Sequence, residues 1–198
     1  MKALLVVDVQ KDFCPGGALA VPDGGQVVPF VNAIRGDYDL VVFSQDWHPP
    51  GHKSFASSNP GTEIGQVITV HGQPQVMWPD HCVQGTPGAE FHENLLVRPD
   101  DPVFRKGELQ EVDSYSAFLD NDHQHSTGLK EFLQERGVTS LDVVGLATDY
   151  CVRFSVLDAR KFGFEVTVLR NGCRAVNLEP ADGEKALAEM KKAGAILR

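Results

Sequence analysis

Short apolar runs separated by polar, Gly- and Pro-rich segments set the rhythm of this chain. Ala3 to Val9 is rich in Val and Leu and carries one charge, Asp8, a pattern that predicts a strand buried on both faces. Leu40 to Phe43, Pro102 to Phe104, Ser140 to Leu146, Phe164 to Leu169 and Ala195 to Leu197 repeat that signal. Between them, apolar residues fall at helical spacing. Gly25 to Ile34 places Val27, Val28, Val31 and Ile34 on one face, and Gly128 to Arg136 does the same with Leu129, Phe132 and Leu133. Cys151 to Phe162 and Pro180 to Ala193 read as two further helices, the second with Pro near its first turn. Strands alternating with helices predict an α/β fold, a parallel sheet covered by helices on both faces. One stretch breaks the rhythm. From Gln45 to about His92 the chain is polar and Gly/Pro-rich without a clear period, which predicts a long functional loop.

Composition narrows the function classes. A length of 198 residues, with no internal repeat or composition break, predicts one domain over 1–198. The net charge of −9 and the lack of a basic run argue against nucleic-acid binding. Asp8 interrupts the early apolar run Ala3 to Val7, which is too short for a bilayer and lacks the flanks of a signal peptide, so a cytoplasmic protein without a membrane partner is expected. Cys14, Cys82, Cys151 and Cys173 are far apart and form no CxxC pair, so free thiols are expected.

In open parallel sheets, ligands bind beyond the carboxyl ends of the strands. Those ends carry the chemistry here: Asp8 after the first strand, Gln45, Asp46 and His48 after the second, Lys106 after the third, and Cys151 after the fourth. Cys151 opens a helix, where backbone dipoles favour thiolate and free N–H groups can hold an oxyanion. Asp8 needs a charged partner if buried, and Lys106 can supply it. Asp46 and His48, two apart on extended chain, face the same way, and His81 in Trp78-Pro-Asp-His-Cys82 is the natural third ligand for one ion. His52 is a possible fourth. His123 and His125 lie in a polar stretch and read as a solvated loop. The same thiol and Asp/His cluster would also suit a redox-sensing or metal-binding protein on an α/β scaffold.

Six segments together resemble the nicotinamidases, a branch of the isochorismatase-like cysteine hydrolases. They are Val6-Val-Asp-Val-Gln-Lys-Asp-Phe13, Gln45-Asp-Trp-His48, Trp78-Pro-Asp-His-Cys-Val-Gln-Gly85, Lys106-Gly107, Asp113-Ser-Tyr-Ser-Ala-Phe118 and Ala147-Thr-Asp-Tyr-Cys-Val152. The resemblance implies a three-layer α/β/α fold with a six-stranded parallel sheet in Rossmann-like order 3-2-1-4-5-6. It implies Asp8, Lys106 and Cys151 as catalytic triad, with Lys106 keeping Asp8 ionised. It implies Asp46, His48 and His81 as ligands of one divalent transition metal, zinc first, with iron or manganese as the other choices. It further implies the N–H groups of Ala147 and Cys151 as oxyanion hole, with a cis bond between Leu146 and Ala147. Phe13, Trp78 and Tyr115 would line a pyridine pocket. The implied activity is hydrolysis of nicotinamide to nicotinate and ammonia through a thioester, with pyrazinamide as a further substrate; another small-amide hydrolase of the superfamily is the alternative. A homo-oligomer is compatible with this reading.

Overall fold

The computed structural model describes all residues from Met1 to Arg198. The strand β1 (Lys2–Val7) lies at the centre, and Ala3 to Val7 are fully buried. Around it stand β2 (Val41–Asp46), β5 (Val103–Lys106), β6 (Ser140–Leu146), β7 (Glu165–Arg174) and β8 (Ile196–Leu197). The sheet order is β5-β2-β1-β6-β7-β8 and every neighbouring pair is parallel. Counting sheet strands alone, this is the expected 3-2-1-4-5-6 order.

The two-residue period of the strands divides the core into two layers. Leu5, Val7 and Val143 point to a cluster closed by Leu129 and Leu133 of α2 (Leu129–Glu135), Val156 and Ala159 of α3 (Arg153–Lys161), and Leu187 and Met190 of α4 (Asp182–Lys192). Leu4, Val6 and Val144 point the other way, onto Val27, Val28 and Val31 of α1 (Val27–Ile34). Each fully buried aliphatic side chain contributes about 1.5–3 kcal/mol relative to exposure, so the central strand fixes the frame that carries the site.

Three details differ from the pattern-based expectation. The stretch from Gln45 to His92 contains an antiparallel hairpin, β3 (Val67–Val70) and β4 (Gln73–Val76), turned by His71 and Gly72, both at positive φ. Paired positive φ values are what a tight hairpin turn demands. The helix expected from Cys151 is preceded by a five-residue π turn, Thr148–Val152, and α3 starts only at Arg153. Strand β7 runs on to Arg174, past a register break opposite Val143 and Gly145. No helix is long and apolar enough to cross a membrane.

Strand order reverses at β1: β2 and β5 lie on one side of it and β6, β7 and β8 on the other. The carboxyl ends of these strands therefore form a crevice, and Asp8, Asp46, Lys106 and Ala147 stand at its rim.

Candidate active site

Asp8 follows β1 in a left-handed conformation (φ 47°) and is fully buried. Its Oδ1 accepts a hydrogen bond from Ser44 Oγ at 2.6 Å, and its Oδ2 faces the Lys106 ammonium at 2.9 Å. Lys106 ends β5 beside Asp46, its register partner at the end of β2. Its Nζ donates to Asp46 Oδ1 at 2.6 Å and to the Ser114 carbonyl at 2.8 Å, and lies 3.4 Å from Cys151 Sγ. One ammonium thus bridges two buried carboxylates and touches the thiol. Burying ions costs several kcal/mol each unless partners are close, and here every partner is in contact.

The protonation preferences follow from this packing. Burial disfavours the Lys106 cation, but Asp46 and Asp8 outweigh it and hold the ammonium well above its usual range. Burial also works against the Asp46 anion; Lys106 and His48 prevail, and Asp46 stays well below the usual carboxylate range. At Asp8 burial wins, aided by the Asp46 charge, and its carboxyl is raised despite Lys106. This differs from the expectation that Lys106 keeps Asp8 ionised: Lys106 does pull the carboxyl down, but burial outweighs it. Burial likewise pushes the Cys151 thiol well above its usual value, with Lys106 offsetting only part. The expected helix-end stabilisation of thiolate is overridden, because the sulfur is buried beside two carboxylates. Both groups thus favour their protonated forms, and the Asp8 carboxylate and Cys151 sulfur lie within 4.8 Å of each other and of Asp46, close enough for their titrations to be coupled.

On the other side of Asp46 stand His48 and His81. Their Nε2 atoms lie 3.3 Å and 3.7 Å from Asp46 Oδ2. Each Nδ1 faces a carbonyl oxygen, Gly107 at 3.0 Å for His48 and Pro79 at 2.8 Å for His81. With both Nδ1 atoms donating to these carbonyls, the two Nε2 atoms and the Asp46 carboxylate are aimed at one point; burial works against a cationic His48, but Asp46 outweighs it and favours a proton there. A bound cation would take the place of that proton, and carbonyl-anchored imidazoles are the usual outer support of a metal site. The donor set fits a divalent metal. Gly107 is needed for this orientation: it sits at φ +67°, and a Cβ there would come within 2.6 Å of His48 Nδ1.

A narrow cleft of about 30 Å³, well below the ligand-pocket range of roughly 300–1,000 Å³, connects the two halves. Cys151 and Ala147 are on one wall, Asp46 and His81 on another, with Phe13, Trp78 and Tyr115 around them. The Leu146–Ala147 peptide bond is cis. Trp78 Nε1 donates to the Tyr115 hydroxyl at 3.1 Å, and Trp78 packs edge-on against Tyr150 at 4.8 Å. The lining is mostly apolar and aromatic, with the sulfur at one end and Asp46 and His81 at the other, and its side chains must part to admit a ring.

The family model described as the isochorismatase domain matches residues 2–198. The chain belongs to the isochorismatase family. It is 48% identical to the nicotinamidase of Escherichia coli strain K12 over 202 residues, covering 99% of this chain and 93% of that protein. Among solved structures it is similar to the Acinetobacter baumannii nicotinamidase/pyrazinamidase, at a TM-score of 0.95 and 43% identity, covering 99% of this chain and 94% of that one. It is also similar to the Pyrococcus horikoshii pyrazinamidase in complex with zinc, at a TM-score of 0.81 and 37% identity, covering 100% and 98%.

Within this isochorismatase-family site, all the sequence-predicted residues converge on the one crevice. His52 is the exception among the nearby histidines: it stacks on His48 at 4.4 Å, but its nitrogens face Ser54 Oγ (2.8 Å) and the Val112 carbonyl (3.3 Å). His123 and His125 lie on an exposed loop, with His125 Nδ1 2.7 Å from Asp120 Oδ2. Several contributors were not singled out from sequence. Phe55 is buried at 5.5–5.6 Å from the rings of His48, His52 and His81. Gln10 is buried and clamps Asp46 on both sides: Oε1 accepts from Asp46 N at 2.8 Å, and Nε2 donates to the Asp46 carbonyl at 2.8 Å. Leu19, Asp113, Tyr150 and Val176 complete the cleft. Gln10 belongs to the segment Val6 to Phe13, but the partner it clamps is visible only in the fold.

Proposed function

We propose that this chain is a nicotinamidase that hydrolyses nicotinamide to nicotinate and ammonia through a thioester on Cys151, and that it accepts pyrazinamide. The observation that carries the reading is the buried Asp8–Lys106–Cys151 contact opening onto an aromatic-lined cleft whose far wall bears Asp46 and His81.

The ring lies among Phe13, Trp78 and Tyr115, which sets its plane and brings the carboxamide to the sulfur. Asp8 takes the thiol proton as sulfur bonds to the carbonyl carbon. The N–H groups of Ala147 and Cys151 hold the oxyanion. Asp8 gives the proton to the departing nitrogen, the C–N bond breaks, and ammonia leaves. Asp8 then takes a proton from water, whose oxygen attacks the thioester; the C–S bond breaks, nicotinate forms, and Cys151 regains its proton. Lys106 keeps the two carboxylates close to each other and to the thiol. A divalent metal held by Asp46, His48 and His81, zinc in the first instance, supplies a Lewis-acidic centre for the ring nitrogen.

The test is ammonia release with product identification, comparing nicotinamide, pyrazinamide and benzamide. Nicotinamide and pyrazinamide are turned over, while benzamide, lacking a ring nitrogen, is a poor substrate. No ammonia from nicotinamide with metal-supplemented protein overturns the proposal.

Metal content separates the histidines. His81→Ala loses metal and activity together, because one of three donors disappears. His52→Ala keeps most of its metal, since neither ring nitrogen faces Asp46. Elemental analysis decides, and a metal-free His52 variant would make His52 a ligand.

The pH profile follows from Asp8. Its carboxyl is raised by burial, so the ionised form needed to accept a proton is lost as pH falls through a value above the ordinary Asp pKa of about 3.9. The acid limb of kcat/KM therefore lies above that value. Lys106 pulls the Asp8 pKa down, so Lys106→Met moves the limb to still higher pH. A limb that stays in place in Lys106→Met would remove Asp8 as the titrating base.

A further inference from the structure

Asp149 belongs to the segment Ala147 to Val152, yet no catalytic step uses it. It is 3% exposed and sits in the π turn two residues before Cys151. Its side chain does not point into the cleft. Oδ1 accepts from the backbone N–H of Val176 at 2.9 Å, and Oδ2 accepts from that of Asn177 at 2.7 Å. Val176 is one of the apolar residues that line the cleft, together with Leu19 and Phe13. Beyond it the segment Asn177 to Pro180 is exposed, and Asn177 adopts a left-handed conformation (φ 53°). Its Oδ1 accepts from the N–H of Gly183 at 2.9 Å, at the start of α4. The loop after β7 is therefore held at its two ends by polar contacts, and the end that carries a cleft residue is tied to the turn that carries the nucleophile.

We infer that Asp149 is a positioning residue that sets substrate size: it fixes Val176 against the cleft and so excludes aromatic carboxamides with added ring substituents. The inference rests on the nicotinamidase reading for the identity of the ring. Two hydrogen bonds to one buried carboxylate hold a backbone more firmly than any apolar contact of a half-buried valine. Specificity of this kind comes from a wall that does not yield. Asp149→Asn keeps one acceptor and turns an amide N–H towards a backbone N–H, which releases one of the two bonds and pushes the segment outward. The nucleophile turn keeps its own backbone bonds, from the N–H groups of Tyr150 and Val152 to the Ala147 carbonyl.

The experiment measures steady-state kinetics of wild type, Asp149→Asn, Val176→Ala and the double variant on nicotinamide and 5-methylnicotinamide. In Asp149→Asn, KM for nicotinamide rises about tenfold while kcat falls less than about threefold, and the relative kcat/KM for the methylated amide rises at least about fivefold. Val176→Ala, with the carboxylate intact, raises the same ratio. The double variant shows no further rise, because both changes act on one wall. An unchanged ratio in Val176→Ala overturns the inference even if Asp149→Asn fails to fold. So does a fall in kcat with no change of ratio, or an additive double variant. A second readout needs no turnover: the rate of Cys151 alkylation by an N-arylmaleimide relative to iodoacetamide rises in Asp149→Asn. If wild type releases no ammonia from nicotinamide, the functional reading fails, while the alkylation ratio still decides the role of Asp149.

Discussion

Cys151→Ala folds, retains its metal and hydrolyses nicotinamide at least about ten-thousand-fold more slowly than wild type. The change removes only the sulfur. Lys106 keeps Asp8, Asp46 and the Ser114 carbonyl as partners, so the charge network stays satisfied. Asp46, His48 and His81 do not touch the sulfur in their mutual contacts, so metal content is unaffected. The cleft still holds the ring and the N–H groups of Ala147 and residue 151 remain, which leaves binding and polarisation without a nucleophile. Tight binding with no turnover is therefore the expected signature, checked by ligand titration alongside ammonia release. Cys14, Cys82 and Cys173 are also free and buried, but none of them lines the cleft, so none can replace Cys151. Turnover within tenfold of wild type would remove Cys151 as nucleophile.

Asp8→Asn lowers turnover by about a thousandfold or more and leaves metal content intact. Asparagine fills the same space and can still accept from Ser44, but it cannot take a proton from sulfur. The thiol is already held well above its usual value by burial, so it does not ionise unaided near neutral pH. Asp46 remains to neutralise Lys106, which is why the variant folds and binds metal. The check is kcat/KM against pH together with elemental analysis. Activity that survives in Asp8→Asn and climbs through the free-thiol pKa of about 8.5 would mean that Cys151 acts without a carboxylate base.

The legible part of the molecule is the part governed by local periodicity. The run from Ala3 to Val9 announced a buried strand, and the charge that interrupts it marked the crevice, because an Asp is tolerated there only with a partner. Asp46 and His48 were legible as a pair because alternation in a strand places them on one side. The hairpin β3–β4 was not legible: its strands are short and largely exposed, Pro74 lies inside one, and its turn is His71-Gly72 instead of the common Asn-Gly. The end of β7 was missed because the polar residues from Arg170 to Arg174 read as loop, although pairing with β6 carries the strand onward. The dual role of Lys106 was hidden for a different reason. Its contact with Asp46 depends on β5 adding beside β2, a neighbour relation between segments sixty residues apart. The same holds for Gln10 on Asp46 and Asp149 on Val176, where a polar side chain satisfies backbone groups far along the chain. The side-chain protonation preferences also needed the fold, since burial reversed the direction that partner charge alone suggests for Asp8 and Cys151.

The thioester route stands or falls on sulfur adding to the carbonyl carbon, and an aldehyde in place of the carboxamide isolates that step because nothing can leave. Nicotinaldehyde labelled with carbon-13 at the carbonyl is added to wild type and to Cys151→Ala, and the carbon spectrum is recorded. Wild type converts the trigonal aldehyde signal into a tetrahedral carbon bonded to sulfur, and the Cys151→Ala spectrum shows no such signal. A wild-type spectrum with bound aldehyde and no carbon–sulfur adduct, or the same adduct in Cys151→Ala, would contradict the assignment of Cys151 as the nucleophile.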